Sequence, residues 1–266
     1  MTRKDDQRRF LAAVAVEAGT LLRDKLYDRH TVRYKGEINL VTEADHLSET
    51  AITERIRRAF PGDDILTEES PETTKGSDFR WIIDPLDGTT NYAHGYPVFC
   101  VSIALEVAGE ICLGAIYNPI LVELFTAEKG AGAFLNGNRI AVSRTANLNE
   151  GLLATGFPYD IRDDRNNNVN YFTALAMNAQ AVRRAGSAAL DLAYVAAGRF
   201  DGFWELKLMP WDTAAGWLLV TEAGGVVTDL AGGPYGLCSP HMLAGNGRIN
   251  DEILRILSET DPLYRP

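Results

Sequence analysis

Leu11, Val14, Ala18, Leu21 and Leu22 recur at helical spacing, with Arg and Lys outside that stripe, so residues 5 to 27 read as an amphipathic helix. An extended stretch from Lys35 to Asp45 leads into a second helix with Leu47, Ala51, Ile56 and Phe60 on or near one face, and Pro61-Gly62 ends it. Thr42 and Asp45 have the S/T-x-x-D/E spacing of a capping box, which gives Asp45 a structural reading beside any chemical one. Residues 64 to 69 read as a strand finishing in two acids, and strand alternation lets at most one of Glu68 and Glu69 face a given site. Ser70 to Asp78 is polar, with proline, threonine and glycine, and reads as a flexible flap.

Trp81-Ile82-Ile83 reads as the end of a buried strand, after which Asp84-Pro85 and Asp87-Gly88 predict a tight turn carrying two carboxylates. Thr89, Thr90 and Asn91 then offer a helix start. Residues 99 to 107 alternate cleanly up to a turn at 108 to 110, and 111 to 117, 122 to 126 and 133 to 142 follow as strands. The last of these is broken by the hairpin signal Asn136-Gly137, so this half reads as an antiparallel meander.

The second half mixes helices and strands. Strands are expected near 152 to 155, 200 to 205, 225 to 230 and 242 to 245, and helices near 171 to 178, 187 to 197, 210 to 222 and 250 to 258, with a charged loop at 160 to 168. The expected organisation is an α+β half over 1 to 145 and an α/β half over 146 to 266, joined without a free linker and packed as one unit.

Composition narrows the chemistry. A chain of 266 residues, 46% hydrophobic and 23% charged, is that of an ordinary globular protein. Its net charge of −10 argues against bulk phosphate neutralisation of a nucleic acid. Cys100, Cys112 and Cys238 form no C-x-x-C pair, which suits a reducing cytoplasm. Asp5, Asp6 and Glu17 spoil a signal-peptide reading of the N-terminus, and no run reaches the length of a membrane span.

Two carboxylates three residues apart repel unless a proton or cation lies between them, and backbone N–H groups at a following helix start attract an anion. An isolated D-P-x-D-G is an ordinary surface turn, so the rest of the acid set decides. The helix opened by Pro210 is apolar almost all round, which puts Asp212 near a buried helix start, either as a cap-like acid or as a ligand. Glu68, Asp84, Asp87 and Asp212 together could not stay ionised without cations, and hard oxygen donors without His or Cys select Mg²⁺ or Mn²⁺ over zinc. His30, His46, His94 and His241 lack metal-binding spacing and read as surface or packing residues.

Trp81-Ile-Ile-Asp-Pro-Leu-Asp-Gly-Thr-Thr-Asn91, Trp211-Asp-Thr-Ala-Ala-Gly216 and Glu222-Ala-Gly-Gly225 resemble the signatures of the inositol monophosphatase family. Leu40 to Asp45, Glu68-Glu69-Ser70, Gly186 to Asp191 and Gly232-Gly-Pro234 extend the likeness along nearly the whole chain. The resemblance implies a layered α-β-α-β-α sandwich and a Mg²⁺-dependent, lithium-sensitive phosphomonoesterase, usually a homodimer, with two to three ions per subunit. It implies Glu68, Asp84 and the Leu86 carbonyl for a first ion, Asp84, Asp87 and Asp212 for a second, and Glu68 through waters for a third. Asp45 and Thr89 would orient the attacking water, and Gly88 and Thr89 would bind phosphate. Arg183, Gly186, Ser187, Ala188 and Glu205 would line the alcohol, with Arg184 equally placed. Thr67 stands where many relatives have glycine.

The expected reaction is direct attack by a metal-activated water, without a phosphoenzyme. Inositol 1-phosphate is the leading substrate, with fructose 1,6-bisphosphate, histidinol phosphate and 3′-phosphoadenosine phosphates as alternatives. A regulatory binding protein that keeps the fold is the alternative of another class.

Overall fold

The computed structural model describes residues 3–27, 32–34 and 40–260. His30 and the extended stretch at 35–39 lie outside the described residues. In chain order the elements are α1 (Arg3–Lys25), β1 (Val32–Tyr34), β2 (Leu40–Thr42), α2 (Glu43–Ala59), β3 (Asp64–Thr67), β4 (Phe79–Asp87), α3 (Thr89–Ala93), β5 (Cys100–Val107), β6 (Glu110–Asn118), β7 (Glu123–Glu128), β8 (Gly132–Leu135) and β9 (Asn138–Arg139). The second half adds β10 (Leu152–Thr155), α4 (Val169–Ala176), β11 (Ala181–Arg183), α5 (Ala188–Ala196), β12 (Gly202–Leu206), α6 (Pro210–Glu222), β13 (Val226–Thr228), β14 (His241–Gly245) and α7 (Asn250–Thr260).

Strand alternation sorts the core into layers. In the seven-stranded sheet β3-β4-β5-β6-β7-β8-β9, Trp81, Ile83, Val101, Ile103 and Leu113 point to one face and pack under α1 and α2. Ile82, Ala104, Ile116 and Phe125 point to the other, against α5 and α6. The five-stranded sheet β11-β10-β12-β14-β13 presents Ala154, Phe203, Met242 and Ala244 to the same two helices. Its far face, with Leu153, Trp204 and Leu243, lies under α4 and α7. Five alternating layers result, helix-sheet-helix-sheet-helix, as the resemblance implies.

α5 and α6 are therefore the filling between two sheets, which is why α6 is apolar on every side. They approach closely at Gly216, where an added Cβ would lie 2.6 Å from Leu192 Cβ. Overpacking of this kind costs about 1–3 kcal/mol, more than the ~1 kcal/mol of helix propensity that alanine gains over glycine. Gly216→Ala is expected to lower the urea midpoint with an unchanged slope.

Four local expectations change. The buried face of α2 is Ala44, Asp45, Ser48, Glu49, Ile52, Thr53 and Ile56, while Leu47 is exposed. β4 does not stop at Ile83 but runs to Asp87, pairing Asp84 with Ser102 and Asp87 with Cys100 across a register shift that absorbs Pro85. β3 ends at Thr67, so Glu68 and Glu69 belong to a bend rather than to the strand. β11, a three-residue edge strand parallel to β10, is an additional element.

Candidate active site

β4 carries Asp84 and Asp87 to its end, and Gly88 then takes φ +99° to start α3. An added Cβ at Gly88 would come within 2.9 Å of the Val98 carbonyl oxygen, so only glycine makes this turn without strain. From the other half, β10 and β12 run parallel, bringing residues after Thr155 beside Glu205 to Met209. Asn91 ties the halves together, its Nδ2 donating to the carbonyls of Val98 at 2.7 Å and Ala185 at 2.9 Å.

Between them lies a cleft of about 520 Å³ whose walls include Glu68, Asp84, Leu86, Asp87, Gly88, Thr89, Gly186, Ser187, Ala188, Glu205 and Asp212. Acids far apart in sequence thus converge on one cavity. Of the expected site residues, Arg183 and Asp45 do not line it; Arg183 is exposed at the end of β11, its Nη1 turned to the Val182 carbonyl, while Arg184 lines the cleft. Side chains alternate along an extended segment, so one residue decides which arginine faces inward. His46, His94 and His241 do not line it.

Ser187 Oγ and the Ala189 N–H both donate to Asp87 Oδ2, at 2.6 and 2.8 Å. Asp84 Oδ1 accepts from the Leu86 N–H at 3.0 Å. Asp212 Oδ2 accepts from the Met209 N–H at 2.6 Å, closing a cap at the start of α6. Asp45 is fully buried and does not line the cleft. Its Oδ2 takes the Thr42 N–H at 2.7 Å and hydroxyl at 2.6 Å, while Oδ1 takes the Thr89 hydroxyl at 2.9 Å. The capping box is real, and the same carboxylate also holds Thr89.

Burial raises the Asp84 carboxyl well above the usual carboxylate range, and Glu68, Asp87 and Asp212 push it further. Burial likewise raises Asp87 and Asp212. Glu205 is pushed up to about 8, first by burial and then by Asp212 and Asp87, with Arg184 opposing. Such a set favours protons or cations over free carboxylates. Among the described residues, no three His, Cys, Asp or Glu side chains are gathered into a ready-made metal cage. One oxygen each of Asp84, Asp87 and Asp212 is held by the N–H and hydroxyl donors just described. In donor type the set fits a hard divalent cation: every side-chain donor is a carboxylate, and their mutual repulsion is what a cation would relieve.

Sequence reasoning missed several wall residues. Asp191 is buried, lines the cleft and is raised well above the carboxylate range by burial, then Glu205 and Asp87. An acid inside the apolar run of α5 was the available signal. Phe157 and Tyr159 also line the cleft, and the Arg184 guanidinium lies 5.9 Å from the Phe157 ring centroid. In the charged loop, Asp160 and Asp164 each accept from Lys207 Nζ at 2.6 Å, pinning the loop to the end of β12. The 70–78 segment does not line the cleft; Thr73 pairs with Ile65 and the Lys75 N–H donates to Asp64, which holds it beside β3.

Arg184 is the cation facing both Glu205 and Asp191. Arg184→Ala is expected to raise KM roughly tenfold with a smaller change in kcat, and Arg183→Ala to leave both near wild type. Steady-state kinetics on the two variants check this.

A five-layer sandwich with carboxylates from both halves meeting in one cleft defines a layered α/β protein with a candidate cation site. Residues 4–261 match the model of the inositol monophosphatase family, and the chain belongs to that family. It is 48% identical over 228 residues to an inositol-1-monophosphatase of Synechocystis sp., covering 85% of this chain and 79% of the relative. It is 46% identical to the Nus factor SuhB of Escherichia coli, covering 81% of each. Among solved structures, an inositol monophosphatase from Anabaena (Nostoc) sp. superposes with a TM-score of 0.89 at 44% identity, covering 98% of this chain and 99% of that one.

Proposed function

We propose that the protein hydrolyses a small polyol phosphate, inositol 1-phosphate first, with Mg²⁺ held by Glu68, Asp84, the Leu86 carbonyl, Asp87 and Asp212. The observation that carries this reading is the convergence of those acids, from β4, the bend after β3 and the start of α6, on one cleft. Bound Mg²⁺, at two to three ions per subunit, would neutralise the phosphoryl oxygens, acidify a water and stabilise the leaving alkoxide.

The chain's own residues do the positioning. The Thr89 hydroxyl proton is committed to Asp45 Oδ1 or to the Leu86 carbonyl, at 2.9 and 3.0 Å, so its oxygen is left to accept from the attacking water. That water then presents a lone pair to phosphorus, and Asp45 is the group that can take up its proton through Thr89. Backbone N–H groups of Gly88 and Thr89 bind the phosphate. Gly186, Ser187, Ala188 and Glu205, with Arg184 in place of Arg183, read the alcohol. Attack is direct, without a phosphoenzyme, so reaction in ¹⁸O-labelled water is expected to place one label in each phosphate released.

No described helix is long and apolar enough to cross a membrane, and a cytoplasmic homodimer is part of this proposal. A second reading rests on the relatives named Nus factor SuhB, which make a further, regulatory role worth testing. The complete acid set favours catalysis as the first role.

The test is a phosphate-release panel of inositol 1-phosphate, fructose 1,6-bisphosphate, histidinol phosphate and 3′-phosphoadenosine 5′-phosphate. Inositol 1-phosphate is expected to turn over fastest, to need Mg²⁺, to stop with chelator and to slow with lithium. Release that persists in chelator would remove the reading, and faster release from another ester would replace the substrate.

A further inference from the structure

The buried face of α2 is polar where it meets the site. Asp45 and Ser48 are fully buried and Glu49 is 6% exposed. At helical spacing of three and four they share one face, and each reaches a different segment of the acid cluster. Asp45 holds Thr89, and the Ser48 hydroxyl donates to the Pro85 carbonyl, between Asp84 and Asp87, at 2.7 Å. Glu49 holds the third segment. Its Oε2 accepts from the Thr67 hydroxyl at 2.8 Å and from the Glu69 N–H at 3.1 Å, and its Oε1 accepts from the Ser70 hydroxyl.

These three donors flank Glu68 on both sides. β3 ends at Thr67, so strand pairing no longer dictates where the next side chain points. Glu68 nevertheless lines the cleft. We propose that Glu49 is a positioning residue that aims Glu68: by gripping Thr67, Glu69 and Ser70 it turns the chain at the strand end so that Glu68 faces Asp84. The inference rests on the reading of Glu68 as a cation ligand.

The chemistry suits a carboxylate. It only accepts, and three donors, from the last residue of β3 and the bend after it, satisfy it without a cation. Glutamine offers one acceptor oxygen and one NH₂ group, so it keeps the contacts on one side of the carboxylate and loses those on the other. Alanine loses all of them while leaving every proposed ligand in the chain. Groups that orient a metal ligand typically contribute 10–100-fold to affinity.

The experiment uses Mn²⁺ alone as probe, its binding to metal-free protein read from the electron paramagnetic resonance of the free ion. Wild type is compared with Glu49→Ala, Glu49→Gln, the double variant Thr67→Val with Ser70→Ala, and the exposed control Glu54→Gln on the same helix. Thermal melting is followed in parallel. Mn²⁺ affinity is expected to fall about tenfold or more in Glu49→Ala. The fall is smaller in Glu49→Gln and the double variant, and absent in Glu54→Gln.

A lower melting temperature with wild-type Mn²⁺ affinity would make Glu49 a purely structural residue and overturn the inference. If Glu49→Ala does not fold, the double variant decides by the same criterion. Wild type that binds no Mn²⁺ would overturn the acid-cluster reading and this inference together. Wild-type binding with unchanged variants would overturn this inference alone.

Discussion

Asp87→Asn is expected to lose about 10³-fold or more in kcat while folding normally. Asn Oδ1 can replace Asp87 Oδ2 as the acceptor for the Ser187 hydroxyl and the Ala189 N–H, so the contacts that lock the side chain to α5 survive. The variant loses the negative charge facing Asp84 and Asp212. Several kcal/mol of electrostatic stabilisation of the transition state would depend on the cations that this charge is proposed to hold, and each 1.36 kcal/mol is a factor of about ten in rate. Stopped-time phosphate release at saturating Mg²⁺, beside thermal melting, separates the two effects. Near wild-type turnover would show that Asp87 is a helix-packing acid and not part of the chemistry.

The parts of the fold legible in the sequence were those set by one strong local signal. Pro210 at the first turn and an apolar run behind it gave α6 its observed ends. Asn136-Gly137, at φ +48° and +79°, makes the expected hairpin turn. What failed was decided by tertiary partners. Asp84-Pro85 reads as a strand stop, yet β5 pairs on past it because a bulge absorbs the proline. In α2 the apolar residues Leu47 and Ala51 drew the expected face outward, since a helix resting on a functional site buries acids and hydroxyls instead.

The acid set was legible because carboxylates beside apolar strands and helices stand out even when far apart. The arginine was not: Arg183 and Arg184 are identical in type, and only the register of β11, an element without a sequence signature, separates them. Asp191 escaped for a related reason. Its neighbours in α5 are apolar, but the sequence does not say which side of that helix meets the cleft.

On this reading the buried acids share protons until a divalent cation replaces them. Burial holds the Asp84 and Asp212 carboxyls well above their ordinary value and raises that of Asp87, and Glu205 is raised to about 8. Metal-free protein therefore keeps protons at pH values where free carboxylates have lost theirs. A cation that needs ionised ligands must drive those protons out. Affinity then rises with pH until the raised pKa values are passed, and becomes flat above them.

Calorimetric titration of Mg²⁺ into metal-free protein, in buffers of different ionisation enthalpy, counts the protons directly. Net proton release is expected at about pH 6, shrinking toward zero as pH climbs past the raised pKa values, with binding tightening over the same interval. Heats independent of buffer at the lower pH, or equal affinity across the range, would contradict it.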